Sequence, residues 1–475
     1  MMDLHREKQE DETNIYKRRW YILLLFSLLA MTQGAYWNTW GPIAESSEDA
    51  FHWEDSDIAL FENWGPIGYL VAGFFSAWLA DVKGLRFSCV LAAFLVAAGA
   101  GIRCITSEHP YVTWTANIGQ ALNGFAGPIA MGAPPLVSAV WFPVHERTTA
   151  TSISSGFNLL GIAISFIIGP RIVETSPSSS KEENRGNLSS APEYIHNDSS
   201  TLTTGLHQMN NFTFTSDQRR IQEEQEQIML LMYVECAWAV LLFVVMLIYF
   251  PNKPKIPPTK TAAIPRIEFK NGLKKIIRIR EFWIIAAIYS ISMGVFNVWQ
   301  GIFDVYLKPH GFSQDQVAWL GASAICAGFV SSIVISRFAD IFSRHHRFFL
   351  IGLYVVGGLA FLWFILLVED ILPDSEVSLY VSIILGTMCL QASTPLYFEM
   401  GCEVCYPVAE GLTNVLLTLL ANVISFVFLL LQMIPKIGSS WENWCLMAVI
   451  TVCIPCMCLL KDNYRRSNID EEKNE

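Results

Sequence analysis

The feature that most constrains this chain is a recurrence. Uncharged apolar runs of about twenty residues follow one another from Trp20 to Lys461. At about 1.5 Å per residue, each run coiled as a helix crosses a hydrocarbon layer of roughly 30 Å. Backbone groups in lipid must satisfy one another, so such runs fold as a helical bundle. Only 16% of the 475 residues are charged, against about 25% in a soluble domain. The chain reads as an all-α polytopic membrane protein.

Twelve spans are predicted: 20–43, 57–80, 86–106, 111–140, 148–170, 228–250, 282–306, 315–337, 348–368, 376–400, 412–434 and 443–461. An even number puts both termini on one side. The segments joined to that side carry Lys83, Arg86, Arg147, the basic linker, Arg337, Arg344, Arg347 and Lys461. The positive-inside rule therefore places both termini in the cytosol. The expected layout is a cytosolic tail (1–19), a six-helix half (20–250), a cytosolic linker (251–281), a second half (282–461) and a cytosolic tail (462–475). Within the first half, residues 171–227 read as a polar, largely disordered, non-cytosolic loop. Its sequons at Asn187, Asn197 and Asn211 are candidate glycosylation sites.

Net charge of −11 comes mainly from acids in the tails and that loop, so it does not indicate a basic partner, and no nucleic-acid binding is expected. The eleven cysteines show no metal-ligand spacing, and no cofactor or metal is expected. No cleavable leader is evident after Lys17-Arg18-Arg19. Without a nucleophile motif, a His/Asp cluster or a phosphate loop, an enzyme or an ATP-driven pump is disfavoured.

An internal repeat narrows the reading. "WFPVHERTT" at 141–149 matches "CYPVAEGLT" at 405–413. Upstream, "AWLAD" ends in Asp81 and "SRFAD" in Asp340, about 65 and about 70 residues before Glu146 and Glu410. Two parallel six-helix halves with a site between them are the expected architecture.

Two strings carry candidate site residues. Span one ends in "AYWNTWGPI", where Trp37 and Trp40 share a helix face beside Asn38. "NWGPIG" repeats the Trp-Gly-Pro-Ile string around Trp64 in span two. These are expected to be flexible outer ends lining an entrance, with an interfacial aromatic belt as the alternative. Span seven reads "GVFNVWQGIFDVYL". Asn297, Gln300 and Asp304 fall on one stripe beside Trp299. An acid inside a span faces a cavity or a partner, so Asp304 is a candidate proton carrier, or else is solvated. Glu235 in span six is the second candidate.

"AWLADVKGLR" resembles the major facilitator signature between spans two and three. "WFPVHERTTATSI" and "YPVAEGLT" are similar to the feline leukaemia virus subgroup C receptor-related family of solute carriers. "RRWYILLLFSLLAMTQGAYWNTWGPI", "NGFAGP" and "WENWC" are most like the branch named for disruption in renal carcinoma. The resemblance implies a major facilitator fold of twelve helices and alternating-access transport of a small organic solute. Choline-like cations, haem and vitamin B6 are the family's solutes. Proton-driven pyridoxine movement at the lysosomal membrane is associated with the branch; the plasma membrane is the alternative. It implies that Trp37 meets the solute, opposite an aromatic that aligns here with Asn297. Asn158 and Asn422 fall at polar site positions, and both are also ordinary helix-to-helix contacts. Asp81, Arg86, Glu146, Arg147, Asp340 and Glu410 resemble the charge latch that gates the cytosolic side. The expected partners are the solute, protons and lipid, around a monomer. A cell-surface receptor without transport is the reading from another class.

Overall fold

The computed structural model describes residues 13–173, 199–264, 266–300, 307, 314–342, 344–373, 375–432, 440–460 and 464–471. Side chains of residues 55, 199–217, 314, 315, 318, 432, 440 and 471 fall outside that description. Twelve long helices carry the fold. We number them α1 (Arg19–Trp37), α2 (Asp55–Val82), α3 (Leu85–Arg103), α4 (Tyr111–Gly132), α5 (Arg147–Ile172) and α6 (Ser199–Ile248). The second half holds α7 (Arg280–Gln300), α8 (Gln314–Ile341), α9 (His346–Val368), α10 (Glu376–Cys405), α11 (Glu410–Gln432) and α12 (Ser440–Cys458). Eleven of them are long and apolar enough to cross a membrane, and α4 is the twelfth long helix. No strand occurs among the described residues.

Each half packs around its own apolar core. One centres on Phe26, Val96, Trp141 and Phe142; the other on Phe282, Phe296, Trp299, Phe361 and Leu412. The face where α1 begins and α12 ends is called the terminal face here.

The structure departs from the sequence reading in three places. Helix α1 ends at Trp37, and Gly41–Ile43 forms a separate turn of 3-10 helix. The fourth predicted span, 111–140, breaks at Ala133, where Pro134 and Pro135 open a short helix, Pro134–Trp141. Most of all, residues 199–227, read as disordered loop, extend α6 to 50 residues, about 75 Å at the usual rise. That extension docks on the short helix Ala44–Phe51: Arg220 pairs with Asp49 at 2.7 Å, and Gln225 donates to Ala50 O at 2.6 Å. Asn211 lies in the extension, while Asn187 and Asn197 lie outside the described residues.

Candidate functional site

The two halves meet along complementary helix stripes. On α11, Gly411 faces Ala80 and Leu136, Val415 lies against Gly73 and Gly132, and Thr418 lies near Tyr69. The same stripe continues one turn further to Asn422, which is half-buried. On α2, Gly73 and Tyr69 meet α11, and the stripe continues to Pro66 and Glu62, both half-exposed. α5 and α8 close in parallel: Ser152 meets Ser332 at 2.9 Å and Phe157 meets Phe329 at 5.6 Å. Beyond the level of Tyr69 and Phe329, the same stripes of α2 and α11 carry Glu62 and Asn422, both partly exposed. These stripes mark the candidate cleft.

The repeated Trp-Gly-Pro-Ile string builds its rim. Pro66 has no N–H, so the carbonyl four residues earlier, on Glu62, lacks its helical donor. The Trp37 indole Nε1 supplies one at 2.7 Å. Gly65 makes that approach possible, since a Cβ there would strike the Trp37 ring. The relation is reciprocal: a Cβ on Gly41 would sit 2.7 Å from Glu62 Oε1. Each glycine therefore makes room for a side chain from the other helix. The expected loosening occurs in α1 only, because α2 runs unbroken through Pro66.

Behind Trp37 lies a seam of amides. Gln120 Nε2 donates to Trp37 O at 3.2 Å, and Asn123 Nδ2 to Gln33 O at 3.1 Å. Asn158 Nδ2 donates to Gln33 Oε1 and to Ala30 O, both at 2.9 Å. Gln120 Oε1 and Asn123 Oδ1 are buried acceptors with no protein donor. Gln391 Oε1 is in the same state on α10, pressed against Gly328 of α8. Sequence reasoning found Asn158 and missed Glu62, Gln33, Gln120, Asn123 and Gln391. Glu62 stands two residues before the quoted "WGPIG", so the string itself was the signal.

Other candidates sit elsewhere in this conformation. Trp40 is 2% exposed and packs on Trp53 (5.0 Å) and Phe61 (5.7 Å), forming an aromatic cap rather than cleft wall. Asn38 is buried and donates to Ser165 Oγ at 2.8 Å, tying the end of α1 to α5. Trp64 donates to Asn117 Oδ1 at 2.9 Å, a bond between α2 and α4. Asn422 donates to Thr418 O at 2.8 Å within its helix. Asn297 is exposed and Gln300 half-buried, while Asp304 lies outside the described residues. Glu235 is not a free acid: Arg103 Nη2 lies 2.8 Å away and the Thr39 hydroxyl donates at 2.9 Å.

Trp299 sits in the core of the second half. It is fully buried, donates to Asn443 Oδ1 at 2.6 Å and meets Phe361 and Phe364 edge-on at 5.1 and 5.5 Å. It lies between Asn297 and Gln300 of the polar stripe and turns into the core. Trp299→Ala is expected to cost about 3–5 kcal/mol of stability, read as a lower melting point in detergent, whereas Trp299→Phe keeps most of it. An unchanged melting point for the alanine variant would return Trp299 to the cleft.

The terminal face is closed by charge. Asp340 of α8 accepts from Thr148 N (3.0 Å), Thr149 N (2.8 Å) and Thr149 Oγ1 (2.6 Å), capping the N-terminus of α5 in the other half. Arg147 reaches Asp470 at 3.2 Å and donates to Thr259 and Thr261 of the linker. Arg466, on the short helix Arg465–Glu471, pairs with Glu399, with Glu403 at 3.2 Å and with Glu410 at 3.5 Å. Burial pulls the Arg466 guanidinium down, but those carboxylates outweigh it and hold it well above its usual value.

The repeated aromatic-Pro-Val-x-Glu motif does one job twice. Glu146 grips Arg19 with two bonds, 3.0 and 3.1 Å, over the Phe142 ring. Glu410 grips Arg266 with two bonds, 3.0 and 2.6 Å, over the Tyr406 ring. The remaining latch candidates differ from the sequence reading. Arg86 donates to Leu247 O at 3.0 Å, inside its own half. Asp81, near Glu410 and Arg266, makes no hydrogen bond among the described residues.

The comparisons with known proteins agree with this geometry. Residues 125–405 match the family described as MFS/sugar transport protein, and residues 22–178 match the Major Facilitator Superfamily. The solute carrier family 49 member 4 homolog of Xenopus tropicalis is 34% identical over 460 residues, covering 96% of this chain and 94% of that one. The choline/ethanolamine transporter FLVCR1 of Mus musculus is 26% identical over 474 residues, covering 96% and 78%. Among solved structures, the transporter FucP in its outward conformation superposes with a TM-score of 0.66 at 13% identity, covering 92% of this chain and 98% of its own. The cleft between two six-helix halves, the duplicated terminal clamp and these relatives agree: the chain is a transporter, not an enzyme, of the major facilitator superfamily, and belongs to solute carrier family 49.

Proposed function

We propose that this transporter moves a small hydroxylated ring solute of the pyridoxine kind, coupled to protons, by alternating access. The observation that carries the reading is the rim of the cleft. One half-buried indole, Trp37, stands before amides whose buried oxygens lack donors among the described residues, and the resemblance aligns the family's second aromatic with Asn297. A single ring face with hydrogen-bonding amides suits a flat solute with hydroxyl groups. A quaternary ammonium is favoured by an aromatic cage on several sides. Choline or ethanolamine is the second reading, favoured by the Glu62 carboxylate beside Trp37.

Uptake of radiolabelled pyridoxine, choline and haem by proteoliposomes at two pH values separates these readings. Pyridoxine is expected to be taken up, faster with acid on the side the cleft faces, and choline in its place would establish the second reading. Uptake of none of the three, with no counterflow, would leave a receptor.

Both termini are proposed to be cytosolic, the membrane lysosomal, and the protein monomeric. Terminal tags should be reached only from the cytosol. Glycosidase should shrink the protein until Asn187, Asn197 and Asn211 are all replaced. A tag stained on intact cells would overturn the orientation.

A further inference from the structure

Among the described residues, Glu62 is an acid of the cleft without a counter-charge. Its backbone carbonyl is occupied by Trp37, but its carboxylate makes no ion pair or hydrogen bond among the described residues. The groups shown beside it are uncharged: Trp37 at the end of α1, with Asn38 and Gly41 just beyond. On its own helix the next ionisable group inward is Tyr69, whose hydroxyl meets Thr418. Arg103 and Glu235 neutralise each other beside Tyr36 and Thr39 of α1. The nearest described acids outward, on the helix Ala44–Phe51, include Asp49, which is paired with Arg220.

The contrast within the chain is instructive. Glu146, Glu235, Glu399, Glu403 and Glu410 each have an arginine. A partly buried carboxylate without a counter-charge carries a desolvation cost, which taking up one positive charge removes. Glu62 is also placed where such a charge would matter. It lies on the stripe that packs on α11 nearer the terminal face, so closing the cleft would bring it towards Asn422. Its side chain touches Gly41 and its carbonyl holds Trp37, so a change in its charge acts directly on the indole at the rim.

We infer that Glu62 accepts the single positive charge that enters with the solute, either a proton or the solute's own cationic nitrogen. Resting on the transport reading above, the inference names the coupling group of that cleft. With the proton as source, a neutral Glu62 lets the outer ends of α1 and α2 close, and release towards the terminal face recharges it. With a cationic solute, the solute's nitrogen occupies the space between the carboxylate and the Trp37 ring.

The test is Glu62→Gln in proteoliposomes, with pyridoxine and choline as probes, measuring net uptake at two pH values and counterflow without a gradient. If the proton is the charge, counterflow stays within about twofold of wild type, and the acid stimulation of net uptake disappears. If the solute brings the charge, choline counterflow falls at least tenfold more than pyridoxine counterflow. Wild-type pH dependence together with wild-type discrimination would overturn the inference. Loss of all transport supports it only if Glu62→Asp restores at least half; two inert but monodisperse variants would make Glu62 a packing residue. A solute-independent readout keeps the two proposals separable. Dicyclohexylcarbodiimide adds to protonated carboxyl groups in apolar surroundings, so the Glu62 peptide should gain one adduct mass, more at acid pH. Wild type that transports neither probe, yet is labelled there, would sink the solute reading and leave the Glu62 inference standing.

Discussion

Arg466→Ala is expected to lower stability by about 3–5 kcal/mol. The guanidinium is fully buried and faces Glu399, Glu403 and Glu410 together. Removing one partner of a buried ionic cluster leaves the others uncompensated, which is why the cost is high. Glu410 keeps Arg266, but among the described residues Glu399 and Glu403 keep no arginine within ion-pair distance. The same short helix carries Asp470, which holds Arg147 of the other half. Loss of Arg466 should therefore also loosen the terminal face. The measurements are the melting point in detergent and the alkylation rate of Cys402 and Cys405, both buried near the terminal end of α10. Faster alkylation with a lower melting point is expected. A melting point within about 2 °C of wild type would show that the tail helix is only a surface appendage.

Trp37→Ala is expected to reduce uptake about five- to 150-fold while leaving folding intact. Stacking of a ring on an aromatic side chain is worth roughly 1–3 kcal/mol where it has been measured, and each 1.4 kcal/mol is about tenfold. Unlike Trp299, Trp37 is half-buried, so its removal opens no sealed cavity. Trp37→Phe keeps a ring but loses the 2.7 Å bond to Glu62 O, and should fall between the two. Gly65→Ala provides an independent check: its methyl group occupies the place of the indole, so it should mimic Trp37→Ala without touching the tryptophan. Uptake within about twofold of wild type in both variants would make Trp37 a packing residue.

The sequence alone determined the layer and the architecture. Uncharged runs of spanning length force a helical bundle because backbone groups have no other partners in lipid. The duplicated Glu146 and Glu410 motifs revealed two halves, since a repeat is a property of order along the chain. Order along the chain does not report direction around a helix axis once packing rotates it. That is why Trp37, Trp40 and Trp299 looked alike in the sequence, yet Trp40 and Trp299 are buried and Trp37 is partly exposed. It is also why Arg86, read as part of a latch, proved to tie α3 to α6. The polar segment 199–227 offered no apolar periodicity, and its helix was visible only with its docking partner, Ala44–Phe51, in place. Glu62 shows the same division most clearly. The missing N–H of Pro66 is written in the sequence and frees a carbonyl at Glu62. Which donor fills it, and that the neighbouring carboxylate is left without a cation, depends on where α1 and α2 cross. Only the tertiary structure decides that crossing, because side-chain packing rather than local propensity sets it.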